Sequence, residues 1–99
     1  MKRKFAFVLM GAEYTPSVHQ ALFETAGMDT LIRTARDYAE AKDTVLKLAG
    51  EGVGAIELCG AFGKARAQEL ERLTEGKVAI GYIVNEPSMA QAAKRFFDA

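Results

Sequence analysis

Apolar residues are concentrated in four short runs along the chain, and a stretch with helical spacing follows each run. The runs are rich in Val, Ile, Leu and Phe, and they do not alternate strictly with polar residues. This pattern is typical of strands that are covered on both faces of a parallel sheet. We therefore predict four strands, Lys4–Met10, Asp29–Thr34, Val53–Cys59 and Val78–Val84.

The stretches between the runs contain the capping residues and the apolar spacing of amphipathic helices. Thr15-Pro16 is a helix cap followed by proline at the first helical position, and Gly27 would end that helix. Asp37 with Glu40 three residues later resembles a capping box. Four helices are predicted, over residues 15–27, 37–50 and 63–76, and from residue 86 onwards.

The order βαβαβαβα predicts a single α/β domain over residues 1–99 with a four-stranded, mainly parallel sheet. We favour a doubly wound sheet of strand order 2-1-3-4, which has helices on both faces. A (βα)₄ half-barrel of order 1-2-3-4 is the main alternative. A ferredoxin-like plait fits less well, because it lacks a helix after every strand. In both leading arrangements the connections at residues 10–16, 34–37, 59–64 and 84–87 meet at the carboxyl ends of the strands.

The third predicted strand ends with a carboxylate and a thiol. Successive strand side chains alternate between faces, so Glu57 and Cys59 are expected to point the same way. Ligands of open α/β sheets bind beside the carboxyl ends of the strands, which predicts a small-molecule site here. Glu57 is the candidate acid or base, and Cys59 is the candidate nucleophile because a nearby helix start stabilises a thiolate. The structural alternatives are a salt-bridged carboxylate and an inert, packed thiol.

A glycine-bracketed turn, Gly60-Ala61-Phe62-Gly63, follows at once and leads into a helix. Free amides at a helix start bind anions, although such turns also use glycine for geometry alone. Arg36 would clamp an anion or neutralise Glu57. The predicted ligand-binding residues are Gly60, Ala61, Phe62, Gly63, Arg36, Glu13 and Asn85, all in connections at one end of the sheet.

His19 is the only histidine, and it is predicted in the first turn of the first helix, near this end of the sheet. It is the third catalytic candidate, and a histidine facing solvent is the alternative. His19, Glu57 and Cys59 are ligand types that suit zinc or another transition metal. No close ligand pair such as His-x-x-x-His supports a metal site, so no metal is predicted, and the sequence identifies no cofactor.

Composition narrows the function classes. Thirteen basic residues balance thirteen acidic ones, which argues against non-specific binding to nucleic acid. The single cysteine excludes an internal disulfide and favours a reducing, cytoplasmic location. No stretch is long enough to span a membrane. Lys2-Arg3-Lys4 and the apolar run after it resemble the start of a signal peptide, but we interpret the run as the first strand.

The segment Ile56–Gly63 resembles a family of small, uncharacterised prokaryotic α/β proteins of about this length. The shared features are Phe5-Ala6-Phe7 in the first strand, an early histidine at His19, and Glu-Leu-Cys-Gly leading into a Gly-Phe-Gly turn. Ala61 stands where the family has glycine. The resemblance spans the whole chain, implies one compact α/β domain and carries no assigned activity.

Three functions agree with these features. The first is a site for an anionic metabolite, with proton-transfer, lyase-type or isomerase-type chemistry. The others are a ligand-sensing module without catalysis and a structural homo-oligomer. Val78–Val84 has no charge and no proline and lies at an edge of the sheet in both leading arrangements. We therefore predict self-association, as a dimer or larger, through this last strand.

Overall fold

A five-stranded sheet forms the centre of the fold in the computed structural model, which describes residues 2–99. The strands are β1 (Arg3–Met10), β2 (Ala21–Glu24), β3 (Met28–Ala35), β4 (Ala55–Leu58) and β5 (Ala79–Tyr82). The helices are α1 (Tyr38–Gly50), α2 (Gly63–Leu73) and α3 (Ala90–Phe97), and a 3₁₀ turn, Pro87–Met89, precedes α3.

The strand order is β2-β3-β1-β4-β5. β1 pairs in parallel with β3 and β4, and β4 pairs in parallel with β5. Only β2 is antiparallel to its neighbour, β3. The prediction of an α/β fold with a mainly parallel sheet is confirmed, whereas the predicted four-stranded sheet lacks β2.

The helix predicted over residues 15–27 is wrong. This part of the chain forms a turn and then β2, which pairs with β3 as a hairpin. The amides of Val18 and His19 both donate to the carbonyl of Thr15, which closes the turn. The amide of Met28 donates to the Thr25 hydroxyl, which closes the hairpin. The local helix signals are overridden because β2 pairs with the outer edge of β3, whose backbone groups would otherwise lack partners.

The doubly wound arrangement also differs from the structure, because α1 and α2 pack on the same face of the sheet. Tyr38 of α1 makes an edge-to-face contact with Phe62 at the start of α2. α3 does not cover the other face either, since it contacts mainly the 3₁₀ turn before it. The fully buried core lies under α1 and α2, and its largest side chains are Val8, Val45, Ile56, Leu58 and Leu70.

The contact between α1 and α2 centres on Tyr38. Its hydroxyl donates a hydrogen bond to the carboxylate of Glu69, and the guanidinium of Arg66 lies 4.7 Å from its ring centre. Burial, followed by the hydrogen bond to Glu69, raises the pKa of Tyr38 to about 12. The same hydrogen bond lowers the pKa of Glu69. Both shifts favour a neutral tyrosine beside a charged carboxylate.

Because Tyr38 is held neutral beside the Glu69 carboxylate, we expect the protein to lose stability at high pH. The Tyr38 hydroxyl loses its proton near pH 10 in the unfolded chain and near pH 12 in the folded one, so its stabilising effect is complete below pH 10. The free energy of unfolding should therefore fall as the pH rises from 10 towards 12. Urea unfolding at a series of pH values should give a weaker dependence for Tyr38→Phe. Tyr14→Phe is the control, since the Tyr14 ring packs on His19 instead. Equal pH dependence in all three proteins would contradict this prediction.

Candidate functional site

A groove of about 520 Å³ lies at the carboxyl ends of β4 and β5, between the start of α2 and α3. Its polar lining comes from Lys64, Asn85 and Lys94, and the backbone of Gly60 and Gly63 forms part of its wall. A larger depression of about 630 Å³ is lined by residues of α3 and by Asp98, which directly follows it. That depression is the outer surface of one helix end, and we assign no site to it.

The glycine-bracketed turn divides between the groove and the core. Gly60 and Gly63 line the groove, whereas Phe62 is 4% exposed and belongs to the core. Ala61 is exposed. The amide of Phe62 donates to the carbonyl of Cys59, which tightens the turn between β4 and α2. The predicted turn is therefore present, with its two glycines facing the groove and its phenylalanine anchoring the start of α2.

Glu57 lies on the face of the sheet opposite to α1 and α2. Its neighbours in β4, Ile56 and Leu58, are buried under the helices, so alternation turns Glu57 to the other side. Its carboxylate sits over Gly81, where an added Cβ would be 2.7 Å from the Glu57 Oε2 atom. Its side chain is exposed. Among residues 2–99, no cation pairs with it.

Cys59 directly follows β4, and its thiol is free. The sulfur accepts a hydrogen bond from the amide of Met10 at 3.3 Å, and the side chain packs against the core. This bond joins the ends of β1 and β4 where backbone pairing stops. The thiol therefore has a structural partner, and its role as a nucleophile stays a prediction.

His19 lies in the turn before β2, so its predicted place in a helix is wrong. Its Nδ1 accepts the amide of Thr15 at 2.8 Å, and its ring contacts Tyr14 with centroids 6.0 Å apart. The hydroxyl of Thr34, in β3, donates to the carbonyl of His19. His19 lies beside β3, whereas the groove lies beside β5. These two strands are three strand spacings apart in the sheet, which is roughly 14 Å.

Arg36 pairs with Glu40 rather than with Glu57. The two side chains approach to 2.8 Å, and the amide of Arg36 also donates to the Glu40 carboxylate. The side-chain hydrogen bond to Glu40 raises the pKa of Arg36, and the same contact lowers the pKa of Glu40. Glu13 is exposed in the connection after β1. Of the three predicted residues in the loops outside the turn, Asn85 alone lines the groove.

Two cations of this groove, Lys64 and Lys94, were not predicted from the sequence. Lys64 directly follows Gly63, so its position after the turn was a usable signal. Lys94 was identifiable only from the placement of α3. Within the described part of the chain, no three His, Cys, Asp or Glu residues are grouped as they would be around a metal ion.

The comparisons with known proteins identify a family without naming an activity. No curated protein and no solved structure match the chain. No helix among residues 2–99 is long and apolar enough to cross a membrane. The model of a family of unknown function (DUF6506) matches residues 3–98, which is nearly the whole chain. The protein therefore belongs to this family of unknown function.

Proposed function

We propose that the protein binds a small anionic molecule in the groove at the carboxyl ends of β4 and β5, as a binding module. The observation that carries this proposal is that two lysines, Lys64 and Lys94, line the groove beside the start of α2, where Lys64 is free of any ion pair within residues 2–99 and Lys94 also pairs with Asp98. Asn85 adds a neutral hydrogen-bonding group to the same wall. Together these groups provide the charges and donors that a phosphate or carboxylate needs.

The start of α2 itself supports an anionic ligand. The first amides of a helix have no partner within the helix, and the helix dipole adds partial positive charge there. The residue that caps α2, Phe62, offers no side-chain hydrogen bond, and the first turn contains no acidic residue. Those amides and Lys64 are therefore available to the same negative group.

The rest of the groove indicates the size and polarity of the ligand. Tyr82, Ile83 and Phe97 line it alongside the polar groups. Its volume of about 520 Å³ lies in the range of ordinary small-molecule sites. The proposal is therefore a metabolite with one phosphate or carboxylate and a small apolar body.

Catalysis by Glu57, Cys59 and His19 stays a prediction from the sequence. Each has a different environment: Glu57 lies on the sheet face over Gly81, the Cys59 thiol bonds to a backbone amide, and His19 closes a turn near β3. The groove is lined by none of the three. For this reason we propose binding rather than acid/base chemistry.

Binding can be tested by following backbone amide resonances during titration with inorganic phosphate and with small phosphomonoesters. We expect the amides of Gly60, Gly63 and Lys64 to shift. Charged hydrogen bonds contribute about 1.5–3 kcal/mol each, so replacing Lys64 and Lys94 together by alanine should weaken binding at least about tenfold.

The matched control is Lys77→Ala, which removes an exposed lysine that pairs with Glu75 and does not line the groove. Its dissociation constant should equal that of the unmodified protein. If no tested anion shifts the groove amides, or if the double variant binds as tightly as the control, the proposal is wrong.

A further inference from the structure

The face of the sheet opposite to α1 and α2 carries apolar side chains that stay only partly buried within residues 2–99. We call it the open face and define it by Phe5, Phe7, Leu9 and Ile32, with Glu57 as its charged residue. In β1, Ala6 and Val8 are fully buried under the helices, so the phenylalanines between them point to the opposite side. A sheet normally buries its apolar face against a second layer.

The C-terminal helix presents a second apolar surface, which is exposed. Met89, Ala92 and Phe96 follow one another at helical spacing, and we call them the α3 stripe. Met89 is 56% exposed and Phe96 is 74% exposed. A helix of eight residues is marginal in water unless its apolar side is packed. The stripe is distinct from the part of α3 that lines the ligand groove, which includes Ala93 and Phe97.

The total exposed area agrees with a missing contact. The chain exposes 6710 Å². A folded monomer of 10.8 kDa is expected to expose only about 5,500 Å². The excess of roughly 1,200 Å² is larger than the area of about 800 Å² that each partner buries in a standard protein interface.

The charges on the two surfaces are complementary. Glu57 is unpaired on the open face, and burying a lone carboxylate there would be costly. Arg95 lies on α3 next to the stripe, on the flank away from the groove-lining residue Ala93. When the stripe lies on an open face, Arg95 can approach Glu57 and neutralise it.

We propose that two copies of this chain form a two-fold dimer in which the α3 stripe of each copy lies on the open face of the other. The contact is made in trans because α3 lies beside Lys64 at the carboxyl ends of β4 and β5 and packs mainly on the 3₁₀ turn before it, not across its own open face. In a two-fold dimer the contact occurs twice, so Arg95 of each copy pairs with Glu57 of the other. This interface is distinct from pairing through the edge of β5.

The test measures the dimer dissociation constant by sedimentation equilibrium of the full chain. Arg95→Glu and Phe96→Glu, both at exposed positions of α3, should each raise that constant at least about tenfold. Leu46→Glu is the control, because Leu46 is 40% exposed on α1, which covers the other face of the sheet. It should leave the constant unchanged.

Charge reversal makes the test specific. Glu57→Arg should weaken the dimer, and combining it with Arg95→Glu should restore the constant to within about threefold of the original, since the pair is re-formed with opposite signs. A monomer at all concentrations up to high micromolar overturns the proposal. It is also overturned if the dimer persists unchanged in Arg95→Glu and Phe96→Glu, which places the interface elsewhere, as at the edge of β5. The ligand test at Lys64 uses none of these residues, so the two proposals fail independently.

Discussion

Replacing Leu70 by alanine should lower the free energy of unfolding by about 2–5 kcal/mol. Leu70 is fully buried, on the side of α2 that packs onto the sheet. Truncation removes the apolar area that drives this packing and leaves a cavity that a close-packed core fills only in part. Because domains of this size are stabilised by only about 5–15 kcal/mol in total, the effect is a large fraction of the stability.

Leu73, one turn further along α2, provides a matched control for this prediction. It is 43% exposed, so Leu73→Ala removes the same atoms from the same helix with far less lost burial. Its cost should stay below about 1 kcal/mol. Urea unfolding at one fixed protein concentration measures both values, since self-association would make stability depend on concentration. Equal losses in the two variants would mean that α2 does not pack through Leu70.

Four of the five strands were predictable from the sequence because their apolar runs are local signals. The runs at residues 4–10 and 29–34 correspond to β1 and β3, and those at 53–59 and 78–84 contain β4 and β5. β2 was not predictable in the same way. Thr15-Pro16 and the spacing of Val18 and Leu22 satisfy the rules for a helix, and the competing strand forms only because β3 offers an edge for pairing. Such pairing depends on residues that are distant in sequence.

The sequence also did not show that the helices cover only one face of the sheet. Phe5 and Phe7 are as apolar as Ala6 and Val8, so the pattern predicts a strand covered on both sides. In the structure the helices cover only the side of Ala6 and Val8. The apolar composition of a strand face does not show whether a helix of the same chain covers it, because that depends on how distant elements pack.

Part of the candidate site could be predicted from the sequence, because the order of strands and helices determines which connections meet. The turn after β4 and the connection after β5 meet because parallel strands end at one edge, and this brings Gly60, Gly63 and Asn85 to the same groove. Arg36 lies at that edge, but Glu40 occupies its guanidinium. The position of His19 depended on the predicted first helix, and the turn before β2 places it beside β3 instead.

Gly63→Ala should destabilise the protein by about 1–2 kcal/mol, whereas Gly60→Ala should change its stability by less than about 0.5 kcal/mol. Gly63 has a φ of 76°, a left-handed backbone conformation in which a Cβ is crowded by the following carbonyl. Apart from its chain neighbours and the backbone of its own helix, no atom lies within 4 Å of a Cβ added there, so backbone strain is the main expected effect. At Gly60 the φ angle is not positive, and an added Cβ would only reach the Ile83 carbonyl at 3.7 Å, an ordinary contact.

Gly60 and Gly63 of the Glu-Leu-Cys-Gly-x-Phe-Gly segment are therefore expected to have different roles. Thermal and urea unfolding of the two variants, at equal protein concentration, measure the difference directly. Gly63 sets the backbone that turns from Phe62 into α2, so its replacement strains the start of that helix and the groove wall together. Equal stability of Gly63→Ala and Gly60→Ala would show that the turn relaxes without a left-handed residue. In that case the free amides at the start of α2 would not be held in place by Gly63.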